Sequence, residues 1–330
     1  MIGIAVVGLG AALSPHAKGL LELTDKARVV WAAARSTKYT EATAQQYGWP
    51  VTNDIDAAIR DPKVDAVMVL SPVNTHLLIA EAAFAAGKHV LCEKPLEVSV
   101  DRGERLIEAG RRANRHLQIM LQHRFRKACR RLKDLVAGGE LGTVQAATMT
   151  VPWWRPQSYY DSLGRGTKSQ DGGGVLMVQA IHTLDVFRWC VGISSIEAAQ
   201  VRTTDLHRME TEDYASALVR LGNGAPGTIV ATVAAFPGNP EQITIIGSKA
   251  TARMDGNNLR VNWIDGRTEE LIEDTGSGVG RAVMAFSHVP HKAVIEDFLD
   301  AIQSGRAPAI PGEEALATQR VIDAIVAKGT

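Results

Sequence analysis

IGIAVVGLG, residues 2–10, decides how the rest of this chain is read. Ile2 to Val7 run without the polar alternation of a half-exposed strand and end in Gly8-Leu9-Gly10, ahead of a helix-forming stretch at 12–23. A continuous apolar run is the pattern of a strand buried on both faces, as in a parallel sheet. The glycines at its end meet a specific need. The first allows a tight turn, the second lets backbone approach a pyrophosphate, and the helix that follows offers unpaired N–H groups and a partial positive charge. Here those N–H groups belong to Ala11 and Ala12. Leu13 stands where a GxGxxG fingerprint has its third glycine, a position that serves helix–strand packing and not the anion site. By itself the motif is a weak signal, and a glycine turn between two packed elements is the competing explanation.

Working outward, the same grammar repeats. RVVWAA (28–33), VDAVMVL (64–70), KHVLC (88–92) and LQIML (117–121) are further apolar runs, separated by stretches at 38–47, 74–86 and 99–113 rich in helix-forming Ala, Leu, Glu and Arg. Such alternation implies right-handed βαβ units and a doubly wound sheet. After residue 122 the pattern changes. A helix over 124–137 ends at Gly138-Gly139, a strand follows at 143–150, then an aromatic segment at 151–170 and a helix opening at the glycines of QDGGG (170–174). From 195 to 273 short strands alternate with turns such as Gly222-Asn223-Gly224, which predicts an antiparallel meander, and helices over 289–304 and 312–327 close the chain. Two domains are expected, 1–122 and 123–330.

The 330 residues carry 36 Lys and Arg against 36 Asp and Glu, a net charge of zero. That balance argues against nucleic acid as the partner, because such affinity comes from cations neutralising phosphates. Hydrophobic residues make up 45% of the chain, enough for a sizeable core, yet no apolar run reaches membrane-spanning length. Cys92, Cys129 and Cys190 are odd in number and far apart, so neither a disulfide framework nor a CxxC metal site is expected. His288 and His291 lie three apart with no Cys or carboxylate at zinc spacing, and no metal is expected there. With no leader-like segment at Met1, the expected location is the cytoplasm.

The end of the second strand bears on the cofactor. An NAD site places a carboxylate there for the ribose hydroxyls. This chain has Ala34, then Arg35, Ser36 and Lys38, three groups able to donate to a 2′-phosphate and none to repel it. NADP(H) is therefore expected in preference to NAD(H), which stays open; the alternative is that Arg35 merely ends a strand in solvent. The fifth run ends in Glu93-Lys94-Pro95, where open α/β sheets bind their ligands.

GLGAALSPHAKGL (8–20), SPVNTHLLIAEAAFAAGKHVLCEKPL (71–96), DGGGVLMVQAIHTLD (171–185) and the terminal HKAVIEDFLDAIQSGRAPAI, in this order and spacing, strongly resemble the glucose–fructose oxidoreductase, inositol dehydrogenase and rhizopine-catabolism (Gfo/Idh/MocA) family. The resemblance implies an α/β protein: an N-terminal Rossmann domain and a C-terminal domain built on a large, open, mainly antiparallel sheet, through which a homodimer or homotetramer forms. It implies hydride transfer between a nicotinamide cofactor and a sugar, polyol or related cyclic alcohol or ketone. Lys94 matches the family's active-site lysine and His182 its catalytic histidine, while Ser71, Asn74, His76 and Glu93 fall in the block lining the cofactor. Where many members carry Asp or Asn four residues before the histidine, this chain has Val178, so Gln179 substitutes for it or the substrate differs. Gly164 and Lys168 stand where a related subgroup has tryptophans.

The chemistry expected of these residues is proton transfer around the reacting oxygen. Lys94 polarises it and His182, with an ordinary value near pH 6.5, exchanges its proton. Asp185 lies one turn on and is expected to orient that ring. Trp153, Trp154 and Tyr160 offer flat faces for a sugar ring, and Arg155, Arg165 and Arg124 suit a carboxylate or phosphate, hinting at an anionic substrate such as a uronate or nucleotide sugar. A subunit interface is the competing explanation for the tryptophans. Two other functions fit the same fold: a dihydrodiol or other non-sugar dehydrogenase, which Val178 keeps open, and a dinucleotide sensor without turnover, which retention of Lys94 and His182 argues against.

Overall fold

The computed structural model of the chain describes residues 1–273 and 287–329. It contains two compact units, Met1–Gln122 with His288–Ala317, and His123–Ser287 with Thr318–Thr330.

The first unit alternates β1 (Ile2–Val7), α1 (Leu13–Leu21), β2 (Ala27–Ala33), α2 (Thr37–Tyr47), β3 (Val51–Thr52), α3 (Ile55–Arg60), β4 (Ala66–Val69), α4 (His76–Ala85), β5 (His89–Cys92), α5 (Val100–Ala113) and β6 (Leu117–Ile119). The six strands are parallel, in the order β3-β2-β1-β4-β5-β6. This is the Rossmann order, with its reversal beside β1, where ligands bind. Every residue of β1 and of β4 is buried, which is why neither shows polar alternation.

The segment 288–317 groups with this unit, whereas the sequence reading assigned all of 123–330 to one domain. The reason is long-range packing. α11 (Val289–Ser304) lies on α1, where a side-chain carbon at Gly19 would meet Ile295 Cδ1 and Lys292 Cα at 3.2 Å. Lys26 Nζ donates to Glu296 and Asp300, both at 2.8 Å, and Ile119 N–H donates to the Ile310 carbonyl at 3.0 Å. None of these pairings leaves a local mark in sequence.

The second unit begins with α6 (Lys127–Ala137) and β7 (Val144–Pro152), followed by the single turns α7 (Gln157–Tyr160), α8 (Lys168–Asp171) and α9 (Val175–Val178), and then α10 (Ile181–Val191). β8 (Ile193–Arg202), β9 (Tyr214–Leu221), β10 (Pro226–Thr232), β11 (Gln242–Gly247), β12 (Ala250–Asp255), β13 (Asn258–Trp263) and β14 (Thr268–Leu271) follow, and α12 (Gly312–Gly329) ends the chain. The sheet order is β14-β13-β12-β11-β7-β10-β9-β8. The expected meander is thus interrupted: β7 inserts between β11 and β10 and runs parallel to β10. One face is the core, with Ala147, Met149, Val151, Ile229, Ile243 and Ile245 buried under α6 and α10. The opposite face carries Thr148, Thr150, Thr228, Val230 and Thr244, all partly exposed. Period-two patterning of β7 and β10 follows directly from this one-sided burial.

The three cysteines are buried and unbonded, and burial raises each thiol well above its ordinary value. Among the described residues no helix is long and apolar enough to cross a membrane.

Candidate active site

In the first unit, the turn after β1 is shaped for close backbone approach. Gly8 has φ of +102°, and a side-chain carbon there would lie 2.5 Å from the Ser71 nitrogen and 2.6 Å from the Leu70 carbonyl carbon. Only glycine fits. Gly10 is the reverse case, exposed, with nothing within 4 Å of where a side chain would start. Ala11 and Ala12 lead into α1, whose N-terminus has no side-chain cap; the Leu13 N–H donates to the Gly10 carbonyl at 3.1 Å, so an anion would be met by the N–H groups around it. Leu13, in the place of the third glycine, is buried, consistent with a packing role.

At the end of β2 the backbone turns at Ala34, whose carbonyl accepts from the Asn53 side chain at 2.8 Å. Arg35, Ser36 and Lys38 are all exposed, and Ser36, the N-cap of α2, makes no capping bond with its hydroxyl.

The 71–76 block and the Glu93-Lys94-Pro95 strand end are built as one piece. Ser71 Oγ hydrogen-bonds Thr75 Oγ1 at 2.7 Å, and Asn74 is exposed. His76, expected to line the cofactor, is instead fully buried, its ring nitrogens 3.0 Å from the Ser71 carbonyl and 3.3 Å from that of Leu96. Burial pushes its pKa down, and the neutral ring is a strut that donates its single N–H to one of these two carbonyls. Glu97, which sequence reasoning missed, is a second strut. Its carboxylate receives the N–H groups of Leu77 and Val98 and a bidentate pair from Arg102, both at 2.8 Å. A glutamate two residues beyond Lys94-Pro95 with an arginine five further on was the available signal.

Glu93 accepts the Lys94 N–H on Oε2 at 2.9 Å and contacts His16 Nε2 through Oε1 at 2.7 Å. Burial opposes its ionisation, but the hydrogen bond from His16 and the charges of His16, Lys94 and His291 prevail and bring its pKa to about 2. Lys94 is half-buried at the same end of the parallel sheet as the Gly8–Gly10 turn.

In the second unit, His182 lies in the first turn of α10, and its ring stacks on that of His123, with centroids 4.6 Å apart at 26°. His123 was not anticipated; its only mark is its place two residues after the apolar run 117–121. Asp185 does not orient His182. Its carboxylate accepts from Arg124 Nε at 2.6 Å, from Arg124 Nη2 at 2.7 Å and from Thr318 Oγ1 at 2.8 Å, with Arg188 at 3.8 Å. Arg124 is correspondingly buried, bidentate on Asp185 and stacked over Trp189 at 5.1 Å, which makes it an anchor for α10 and not a substrate contact. The correction has a simple cause: helical spacing places Asp185 beside His182, whereas a planar guanidinium satisfies both carboxylate oxygens at once.

Gln179, between α9 and α10, is 5% exposed, and both ends of its amide are without hydrogen-bond partners, as is the buried Thr183 hydroxyl. The start of α9 is fixed by Gly174, which packs directly on the backbone of Glu212, whose buried carboxylate takes the Gly174 and Leu176 N–H groups.

Arg155 is the most unusual residue of the aromatic segment. It is 5% exposed, Nη1 donates to the Trp154 carbonyl at 2.8 Å, Nε has no partner, and the guanidinium lies 5.3 Å from the Trp153 ring. No carboxylate of the described residues pairs with it. Burial lowers its pKa, and Arg165 adds a like charge. Tyr160 is buried with its hydroxyl unpartnered, and Trp153 Nε1 is likewise unpartnered. Arg165 donates to Tyr159 Oη at 2.7 Å, and Trp154 meets Phe236 edge-on at 5.5 Å. The segment is held from below by His207, which bridges the Arg155 carbonyl and Asp213.

A Rossmann sheet with an open phosphate turn, joined to a unit rich in buried, unpaired polar groups, defines a dinucleotide-binding enzyme. Residues 2–121 match the family model described as "Oxidoreductase family, NAD-binding Rossmann fold", and residues 129–253 match "GFO/IDH/MocA C-terminal domain". The chain belongs to the Gfo/Idh/MocA family and is an NAD-binding oxidoreductase of the dehydrogenase/reductase type. It is 27% identical over 320 residues to myo-inositol 2-dehydrogenase of Thermotoga maritima, covering 94% of this chain and 91% of that one. It is 30% identical over 234 residues to 1-carboxy-3-chloro-3,4-dihydroxycyclohexa-1,5-diene dehydrogenase of Comamonas testosteroni, covering 68% and 56%. Among solved structures, the WlbA dehydrogenase of Bordetella pertussis in complex with NADH and UDP-GlcNAcA superposes with a TM-score of 0.85 at 26% identity, covering 99% of this chain and 96% of that one.

Proposed function

We propose that the protein transfers a hydride between a nicotinamide cofactor and the CH–OH carbon of a sugar, polyol or related cyclic alcohol, with NADP(H) preferred. The observation that carries this reading is the open turn at Gly10, on the sheet end that also presents Lys94. When bound, the nicotinamide supplies the hydride donor or acceptor. Gly8 and Gly10 let backbone reach the pyrophosphate, and Arg35, Ser36 and Lys38 donate to the 2′-phosphate. Lys94 holds and polarises the reacting oxygen, and His182 exchanges its proton. Titration with NADPH and NADH tests the cofactor preference. Arg35→Ala is expected to weaken NADPH tenfold or more while leaving NADH nearly unchanged, since one hydrogen bond to a charged group contributes about 1.5–3 kcal/mol. Equal losses for both cofactors refute the preference.

A substrate carrying a carboxylate is favoured by Arg155. An uncompensated buried cation costs several kcal/mol, and a ligand anion is what offsets it. The carboxyl in the name of the Comamonas relative points the same way. Arg155→Met is expected to lower kcat/KM for a uronate or carboxylated cyclic diol by about 10²-fold, consistent with loss of a charged hydrogen bond of about 1.5–3 kcal/mol, and to spare a neutral polyol. A uniform loss across both classes would assign Arg155 to structure alone. The partly exposed threonine face of the second unit's sheet is the surface on which we place a homodimer or homotetramer contact.

A further inference from the structure

We propose that His16, Glu93 and His291 form a binding site for a Zn²⁺-like divalent metal ion within the first unit. One ligand atom from each lies within 4.8 Å of the other two, and this is the sole such cluster among the described residues. The three come from separate elements: His16 from α1, Glu93 from the end of β5, and His291 from the first turn of α11. The two imidazoles are 0% and 4% exposed, and the Glu93 side chain is 14% exposed.

The ring geometry is already that of a shared ion. A metal–nitrogen distance of about 2.05 Å puts an imidazole centre about 3.2 Å from the ion, so two such rings at a tetrahedral angle have centroids about 5 Å apart. The His16 and His291 rings are 5.2 Å apart at 82°. Glu93 Oε1 sits 2.7 Å from His16 Nε2, and a shift of about 0.6 Å widens that contact to the spacing of two ligands on one ion. Two imidazoles and one carboxylate, with a fourth position for water, form a donor set suited to zinc and its borderline neighbours and not to Mg²⁺ or Ca²⁺, which take oxygen ligands.

An ion at this point fastens α11, nearly two hundred residues downstream of Glu93, to α1 and β5. Because it binds only the folded arrangement, it raises stability. The site escapes local reading since its ligand spacing follows the packing of α11 on α1 and not any short motif.

The test uses the full chain, stripped with a chelator and titrated with Zn²⁺ against a chromophoric competitor, with thermal melting and Co²⁺ absorption in parallel. One equivalent per chain, a raised Tm and the intense visible bands of tetrahedral Co²⁺ are expected. His291→Ala and, separately, His16→Gln are expected to lower affinity by about 10²-fold or more. His288→Ala, which removes an exposed histidine paired with Glu22, is expected to bind as the parent does. Circular dichroism confirms folding, and either ligand variant suffices if the other does not fold. Absence of a stoichiometric ion in the parent, wild-type affinity in the folded ligand variants, or loss on His288→Ala overturns the site.

Discussion

Lys94→Ala is expected to lower kcat/KM by about 10²–10⁴-fold on any alcohol the parent oxidises, the range for removing a positioned proton-transfer or polarising group. The fold is expected to survive. What holds this strand end is backbone, with the Lys94 N–H on Glu93 and the Leu77 and Val98 N–H groups on Glu97, and alanine keeps every one of those bonds. Steady-state kinetics with a Tm control check it. Parent-like kcat/KM in a folded Lys94→Ala protein would remove the lysine from the mechanism, while a collapse in Tm would make it a structural residue. His182→Ala provides the companion measurement, and its stacked neighbour His123 gives a further comparison, because loss of the stack alters the ring's setting without removing the imidazole.

The second large effect is on stability. Arg124→Ala is expected to destabilise the second unit by about 3 kcal/mol, because it takes the bidentate partner from the buried Asp185 carboxylate and leaves it Thr318 and a guanidinium 3.8 Å away. Asp185→Ala is expected to cost a similar amount, removing the bidentate partner of a guanidinium that is 4% exposed. Removing the pair together, by Arg124→Ala with Asp185→Ala, is expected to cost much less than the sum, since neither charge is then abandoned. Urea unfolding of the four proteins closes the cycle. Additive losses would mean that the two side chains act independently, and a catalytic defect in Asp185→Asn without loss of stability would restore the orienting role that the geometry withdraws.

Some of the site was legible because its chemistry is local. The glycine turn needs particular residues at adjacent positions, and the Gly8 and Gly10 environments show why: one position has no room for a side chain and the other has nothing near it. The place of Lys94 just past β5 was readable from the apolar run that precedes it. Other residues were misassigned because two side chains with the same local spacing can have opposite roles. His76 sits beside Ser71 and Asn74 in sequence, yet its ring turns inward to two carbonyls. Asp185 sits one turn from His182, yet its oxygens are taken by Arg124 and Thr318, residues 61 and 133 positions away. Arg155 shows the converse. Its type suggested an anion contact, but only its burial without a counter-charge makes the suggestion weigh.

Sequence by itself determined the succession of strands and helices, the phosphate turn and the family, because periodicity, turn chemistry and short motifs all act over a few residues. Only the tertiary structure decided that β7 enters the middle of the second sheet, that 288–317 returns to the first unit, and which buried charges are paired. Those outcomes depend on contacts between segments far apart in the chain, and desolvation makes each buried polar group answerable to whatever side chain the fold brings against it.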